Sequence, residues 1–219
     1  MFDTLRVYDD HDAKSAAMNM AVDEALLADA SEPILRFYRW RQPSLSFGYF
    51  GLYAEAVRHG NGREIIRRWT GGGIVPHGDD VTYSVIVPRA HPFLGQSSLE
   101  IYAALHDGIR RALQGNRIPA SLLDEPLPRV SEDCFANAVR ADVMSNGRKI
   151  AGAAHRRSRC GLLHQGSIQQ PALPEHFRTD LAGTLCKRYE KKILTAGLLE
   201  RAAVIAATKY GTAEWLMRR

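Results

Sequence analysis

The chain has 219 residues, 45% of them hydrophobic and 24% charged, with a formal net charge of +5. This is the composition of a soluble globular domain with a sizeable core. No apolar run approaches the roughly 18 residues of a membrane span, and Met1–Arg6 shows no secretory leader. Three cysteines (Cys134, Cys160, Cys186) without CxxC spacing disfavour a disulfide framework or a zinc site and point to reduced, cytoplasmic thiols. The net charge suits either an ordinary, slightly basic enzyme surface or an acidic partner, protein or nucleic acid. The basic residues form no single long block.

No repeat, low-complexity segment or linker interrupts the chain. Residues 15–29 predict a helix, with Met18, Ala21, Val22, Ala25 and Leu26 on one apolar stripe. Residues 34–40 predict a strand rich in β-formers, and Pro43 and Gly48 punctuate the stretch after it. Further strands are expected over 63–69, ending at the Gly71–Gly73 turn, and over 81–87, stopped by Pro88. Ser97-Ser98-Leu99-Glu100 is a capping-box pattern, opening a helix with Leu99, Tyr102, His106, Ile109 and Leu113 on one side. Pro126 and Pro128 mark a loop leading to Cys134. Asn146-Gly147 between Ala141–Ser145 and Arg148–Ala154 predicts a hairpin with a type I′ turn, because both residues tolerate positive φ. A strand fits 162–169, and the last forty residues read as helical, with Leu194, Leu198, Ala202 and Ile205 on one face. Strands in the middle with helices flanking them indicate an α+β fold.

Three features carry possible chemistry. Gly71-Gly72-Gly73 lets the backbone approach a ligand closely and turn N–H groups toward it, although an isolated triplet is also consistent with a plain tight turn. No Gly-Lys-Ser/Thr comes after it, so it is not a Walker loop. Arg67 and Arg68 precede it. Neighbours on a strand point to opposite faces, so one of the two is expected at the site. Lys149 lies just after the hairpin turn, where a lysine is commonly a solvated edge residue. The small apolar run Ile150–Ala154 beside it suggests a partly dry setting, in which its ammonium would neutralise an oxyanion or a phosphate. Cys134 is either a buried structural thiol or a nucleophile activated by a cation such as Lys149. His77 and His164 are candidates for orienting substrate or for structural hydrogen bonds. No His-x-x-x-His or carboxylate cluster demands a metal.

Four segments together resemble the lipoate–protein ligase A and octanoyltransferase branch of the biotin/lipoate protein ligase superfamily. Met18–Leu27 is similar to the family's first helix, and Phe37–Trp40, Pro43-Ser44 and Gly48–Phe50 to its next strand and turn. Arg67–His77 is similar to its lipoyl-pocket signature. Gly147–Ala154 is similar to the segment bearing its catalytic lysine, and Leu163–Ser167 to the strand after it. The resemblance covers roughly residues 15–170. It implies a mixed, largely antiparallel β-sheet flanked by helices. It also implies a pocket formed by Arg67, Arg68, Thr70, Gly71, Gly72, Gly73, His77, Gly152, Ala153 and His164. The chain departs from the pattern at Ala153, where Ser is frequent, at His155, where Gln is common, and at Pro76-His77-Gly78, and these changes bear on acyl specificity.

The family's chemistry leaves an octanoyl or lipoyl group as an amide on a lysine of a lipoyl domain or of the glycine-cleavage H protein. Two mechanisms compete within it. Octanoyltransferases take the acyl group from acyl carrier protein through a cysteine thioester and need no cofactor; ligases use ATP and Mg²⁺ and pass through an acyl-adenylate. Cys134-Phe135 matches the Cys-Phe that carries the nucleophile in one octanoyltransferase group. The chain is expected to be a single catalytic domain over 1–219 without the C-terminal accessory domain of many ligases. Both features favour transfer, with Cys134 as nucleophile and Lys149 holding the acyl carbonyl. A non-catalytic protein that binds a lipoyl domain or an acyl carrier is an alternative of another class. Neither nucleic acid nor membrane is an expected partner.

Overall fold

The computed structural model describes residues 1–126, 137–170 and 173–218. Its strands divide between two sheets. In chain order they are β1 (Phe2–Asp9), β2 (Ile34–Tyr38), β3 (Ser44–Phe47), β4 (Glu64–Arg67), β5 (Val75–His77), β6 (Val81–Pro88), β7 (Ser121–Leu122), β8 (Val143–Ser145), β9 (Arg148–Arg157), β10 (Gly161–Ile168) and β11 (Cys186–Lys192). The larger sheet has the order β11-β1-β2-β6-β10-β9-β8-β7, and the smaller has β4-β3-β5. In the larger sheet β1 runs parallel to β11 and β2, and every other pairing is antiparallel. The expected mixed, largely antiparallel sheet is therefore present.

Strand alternation sends side chains to two cores. Leu35 and Phe37 of β2, Tyr83, Val85 and Val87 of β6 and Leu162 of β10 pack under helices α3 (Ser98–Gly115) and α4 (Phe177–Leu185). Ile34, Tyr38, Ile86 and Leu163 face the other way, under α1 (Ala16–Asp29) and α5 (Ala196–Ile205). A small third core under the three-stranded sheet holds Leu45, Phe47, Ala56 and Ile74, closed by α2 (Tyr53–Gly60). Helix α1 starts where Ser15 accepts from the Met18 N–H, and α3 carries the full capping box of Ser97 and Glu100. Asn146 (φ 48°) and Gly147 (φ 74°) make the hairpin turn between β8 and β9 as the Asn-Gly pair predicts.

One strand comes in addition to the expected elements, and three expectations need correction. Residues 2–9 form a strand that no pattern in the sequence announces. Its neighbour β11 falls in the stretch expected to be helical. β11 is Cys-Lys-Arg-Tyr-Glu-Lys-Lys at the sheet edge, where charge blunts further pairing and hides the alternation that marks inner strands. In α3, Tyr102, His106, Ile109 and Leu113 are buried as expected, but Leu99 is 44% exposed, and Ile101, Leu105 and Ala112 join the buried face. The strand expected over 34–40 ends at Tyr38; Trp40 keeps an isolated bridge to Lys14.

Candidate active site

Lys149 and the pocket beside it form the centre of the candidate site. The hairpin arms β8 and β9 are out of simple register: Met144 faces Lys149 but Val143 faces Ala151, so Ile150 is an extra residue on β9. A bulge of this kind re-aims side chains. The Lys149 stem consequently lies over the Cα of Gly152, where a side chain on residue 152 would collide with Cε and meet Nζ at 2.8 Å. Residue 152 has to be glycine for Lys149 to occupy this place.

The ammonium is nearly buried, with 3% side-chain exposure, and lies 2.8 Å from Oδ2 of the fully buried Asp142. It also donates to the carbonyl of Asn137 at 3.2 Å. Asp142 is held in turn. Its Oδ1 accepts from the Tyr102 hydroxyl at 2.6 Å and its Oδ2 from the Val139 N–H at 2.7 Å, while the Ala153 N–H donates to the Tyr102 oxygen at 3.1 Å. Burial, then the Asp142 charge, holds Tyr102 well above the ordinary phenol range, so it stays a neutral donor. Lys149 is thus a fixed cation with a preorganised counter-charge, suited to holding an oxyanion.

A narrow pocket opens beside it, lined by Gly152, Ala153 and Ala154 of β9, Gln165, Gly166 and Ser167 of β10, Thr82, Tyr38, Trp40 and Met20, and roofed by Ser46, Arg68, Val75 and His77 from the small sheet. Its polar groups satisfy one another. His77 Nδ1 lies 2.9 Å from Asp80 Oδ2, and Nε2 lies 2.8 Å from Ser46 Oγ. The Asp80 carboxylate accepts from the Nδ1–H, and Nε2 is paired with the Ser46 hydroxyl. Thr82 and Ser167 also donate to Asp80 at 2.8 and 2.7 Å. Burial pushes the Asp80 carboxyl up, but His77, Ser167 and the Gly78 N–H outweigh it and bring it to about 2. With these groups internally paired, the wall accepts an apolar chain at no hydrogen-bonding cost.

A wider cleft over Lys149 shares Ala153 with this pocket. Gly48, Phe50, Leu52, Gly72, Gly73, Asn137 and Val139 line it, and Phe50 (84% exposed), Leu52 and Val139 are exposed apolar residues at its rim.

The residues singled out in the sequence take different places around this centre. Arg67 and Arg68 do point apart. Arg68 enters the pocket and donates to the carbonyls of Gly71 (2.6 Å) and Gly73 (2.8 Å) and to Ser46 Oγ (3.1 Å), so the triglycine turns carbonyls, rather than N–H groups, toward the guanidinium. Arg67 is buried away from the pocket and binds the carbonyls of Tyr49, Gly51, Trp215, Leu216 and Arg218. Its work is to clasp the C-terminal segment to the loop after β3. Thr70 lies behind the wall, donating to Gln165 at 2.9 Å. Gly72 and Gly73 border the cleft, and His77, Gly152 and Ala153 line the pocket.

His164 is on the opposite face of β10, because alternation gives Gln165 and Ser167 to the pocket. There it joins His106, His155 and Tyr102 in a buried ring cluster, and burial holds its imidazole well below the usual histidine range. Cys134 lies outside the described residues. Asp142, Tyr102, Ser46, Asp80 and Trp40 belong to the site without being evident as site residues in the sequence. Asp142 carries a usable signal: it immediately precedes β8, the strand paired across the Asn-Gly turn with the start of β9 that carries Lys149.

Comparison with known proteins fits this geometry. The lipoyl protein ligase A/B catalytic domain matches residues 15–191. The chain belongs to that family. It is similar to octanoyltransferase LipM of Oceanobacillus iheyensis, 37% identical over 165 residues covering 71% of this chain and 60% of that protein. It is likewise similar to octanoyltransferase LipM of Geobacillus kaustophilus, 39% identical over 173 residues covering 69% of this chain and 60% of that protein. The chain therefore spans about three-fifths of the length of these curated relatives. Among solved structures it shares its fold with a lipoate-protein ligase A bound with ATP, at TM-score 0.76, 22% identity and 99% coverage of both chains. The bipartite lipoate protein ligase of Thermoplasma acidophilum, described with its E2 lipoyl domain, aligns at TM-score 0.68 and 22% identity, over 99% of this chain and 96% of the other. Among the described residues no helix is long and apolar enough to cross a membrane, and no group of His, Cys, Asp or Glu is placed to hold a metal ion.

Proposed function

We propose that the protein transfers an octanoyl or lipoyl group from acyl carrier protein to a lysine of a lipoyl domain or of the glycine-cleavage H protein. The observation that carries this reading is the apolar-walled pocket that reaches Gly152, over which the buried Lys149–Asp142 pair lies, in a chain 37–39% identical to octanoyltransferases over about 70% of its length. The acyl chain lies in the pocket with its carbonyl beside Lys149. The Cys134 thiolate attacks the carrier thioester: an S–C bond forms, the carrier's S–C bond breaks, and the carrier leaves as a thiol after taking a proton. The neutral acceptor lysine then attacks the acyl-enzyme. A C–N bond forms, the amine loses its proton, and the Cys134 thiolate returns. Lys149 stabilises the oxyanion in both halves.

A second reading, ATP-dependent ligation through an acyl-adenylate with Mg²⁺, is favoured by the roomy cleft above Lys149, which would accept a nucleotide as readily as a carrier arm. Steady-state kinetics with octanoyl-acyl carrier protein and a lipoyl domain, with and without ATP, separates the two. Transfer expects ping-pong patterns indifferent to ATP. Dependence on ATP, with release of pyrophosphate, would replace it by ligation.

A further inference from the structure

Ser46, His77 and Asp80 form a hydrogen-bonded line inside the pocket. Ser46 pairs with Val75 and Ser44 with His77, so Ser46 and His77 are diagonal neighbours on one face of the small sheet. Ser46 Oγ lies 2.8 Å from His77 Nε2, and His77 Nδ1 lies 2.9 Å from Asp80 Oδ2. The His77 and Asp80 side chains are 5% and 3% exposed. Trp40 fixes the ring by stacking on it at 4.3 Å and 19°, and Ser167, Thr82 and the Gly78 N–H fix the carboxylate by donating to it. Arg68 Nη1 donates to Ser46 Oγ at 3.1 Å, so a cation touches the same oxygen. A hydroxyl, an imidazole placed to take its proton, a carboxylate that orients the ring and a cation for the developing charge are the parts of an activated serine. The transfer steps derived above run through Cys134 and Lys149 and leave this line idle.

The line stands deeper in the pocket than Lys149. Lys149 lies over Gly152, and the register runs from Gly152 to Ser167 and on to Thr82. Asp80 bonds Ser167 and Thr82, which are one and two strand spacings of about 4.8 Å beyond Gly152. An acyl chain whose carbonyl rests beside Lys149 therefore presents methylene groups, not its carbonyl, to Ser46. A small ester enters further and brings its carbonyl to the hydroxyl. The geometry points to Ser46, with His77 as its base, as a second nucleophile that hydrolyses small uncharged esters of short carboxylic acids. Ser46 Oγ bonds to the carbonyl carbon while its proton passes to His77 Nε2. The ester C–O bond breaks, and the alcohol leaves with that proton. Water then attacks the acyl-serine and gives a proton to Nε2. The Oγ–C bond breaks, the acid departs, and Ser46 regains its proton. Arg68 stabilises the negative charge in both halves.

Two readouts test this in the full chain. The first is labelling by diethyl fluorophosphate, which loses fluoride as an O–P bond forms on an activated serine, followed by peptide mapping. The second is hydrolysis of p-nitrophenyl acetate. One diethylphosphoryl group is expected on Ser46, in the wild type and in Cys134→Ala alike. Hydrolysis should fall at least tenfold in Ser46→Ala, and both readouts should fall at least tenfold in Asp80→Asn. The wild-type map carries the test alone should the variants not fold. A wild type left unlabelled at Ser46, or hydrolysis unchanged in folded Ser46→Ala, overturns the inference. Octanoyl transfer is measured in parallel. Transfer without any reaction at Ser46 overturns the serine centre and leaves the transferase standing. Reaction at Ser46 without any wild-type transfer supports the serine centre and removes the transferase.

Discussion

Replacing Asp142 by Asn removes the counter-charge of Lys149 while keeping the shape of the side chain. Asp142 is fully buried and accepts from Lys149, Tyr102 and Val139. An amide can keep its oxygen toward the Val139 N–H and Lys149 and turn its NH₂ toward the Tyr102 oxygen, so the hydrogen bonds largely survive and the charge is what is lost. Breaking a buried ion pair by removing one partner costs about 3–5 kcal/mol. Asp142→Asn, which retains hydrogen bonds, is expected at the lower end, about 3 kcal/mol. Removing the Lys149 charge as well, in Asp142→Asn/Lys149→Met, should recover part of that loss, with a coupling of about 2 kcal/mol in the cycle. Urea denaturation of the four proteins, followed by tryptophan fluorescence, measures it. Acyl transfer by Asp142→Asn should fall at least tenfold in kcat. A single variant within about 0.5 kcal/mol of wild type, or strictly additive losses, would refute the claim that Asp142 holds Lys149 as a buried ion pair.

Four further outcomes are expected. Burial brings His106 down from 6.5 to about 4, while Asp142 opposes the shift, so between these pH values the unfolded chain binds the proton and the folded chain does not. Stability is therefore whole above pH 6.5 and falls by about 3 kcal/mol on acidification to pH 4, with His155 and His164 adding in the same direction; His106→Phe should flatten the slope seen in urea midpoints across that window. Asp80 adds a second acid loss of about 2.5 kcal/mol as pH falls from about 4 to 2, which Asp80→Asn should remove. Gly152→Ala drives a methyl into the Lys149 stem, forces the ammonium away from Asp142, and should cut transfer at least tenfold with a urea stability loss of about 3 kcal/mol. Arg67→Ala releases the carbonyls that tie residues 215–218 to the loop after β3, and should expose the C-terminal segment to limited proteolysis, with a stability loss of about 3 kcal/mol.

Local signals account for the parts of the fold that were legible in the sequence. The capping box at Ser97, the Asn-Gly turn and the apolar stripe of α1 are short-range patterns, and each marks its element within a residue or two. Lys149 was legible because an apolar run lies directly after it. Strands β1 and β11 were not, since a parallel pair at a sheet edge is held together over more than 170 residues of intervening chain and one member carries almost only charge. His164 was misplaced because a motif names a strand but not its register, and one step of alternation moves a side chain to the opposite core. Asp80 and Ser46 meet at His77, which joins two sheets, a relation that no spacing along the chain encodes.

The central claim is a covalent acyl-enzyme on Cys134, handed on beside Lys149. Intact mass of the protein after mixing with octanoyl-acyl carrier protein tests it most directly, with Cys134→Ala in parallel. The account predicts a gain of one octanoyl group that hydroxylamine removes and the variant lacks. An unmodified protein that still lipoylates its acceptor, or an adduct that survives in Cys134→Ala, would contradict it.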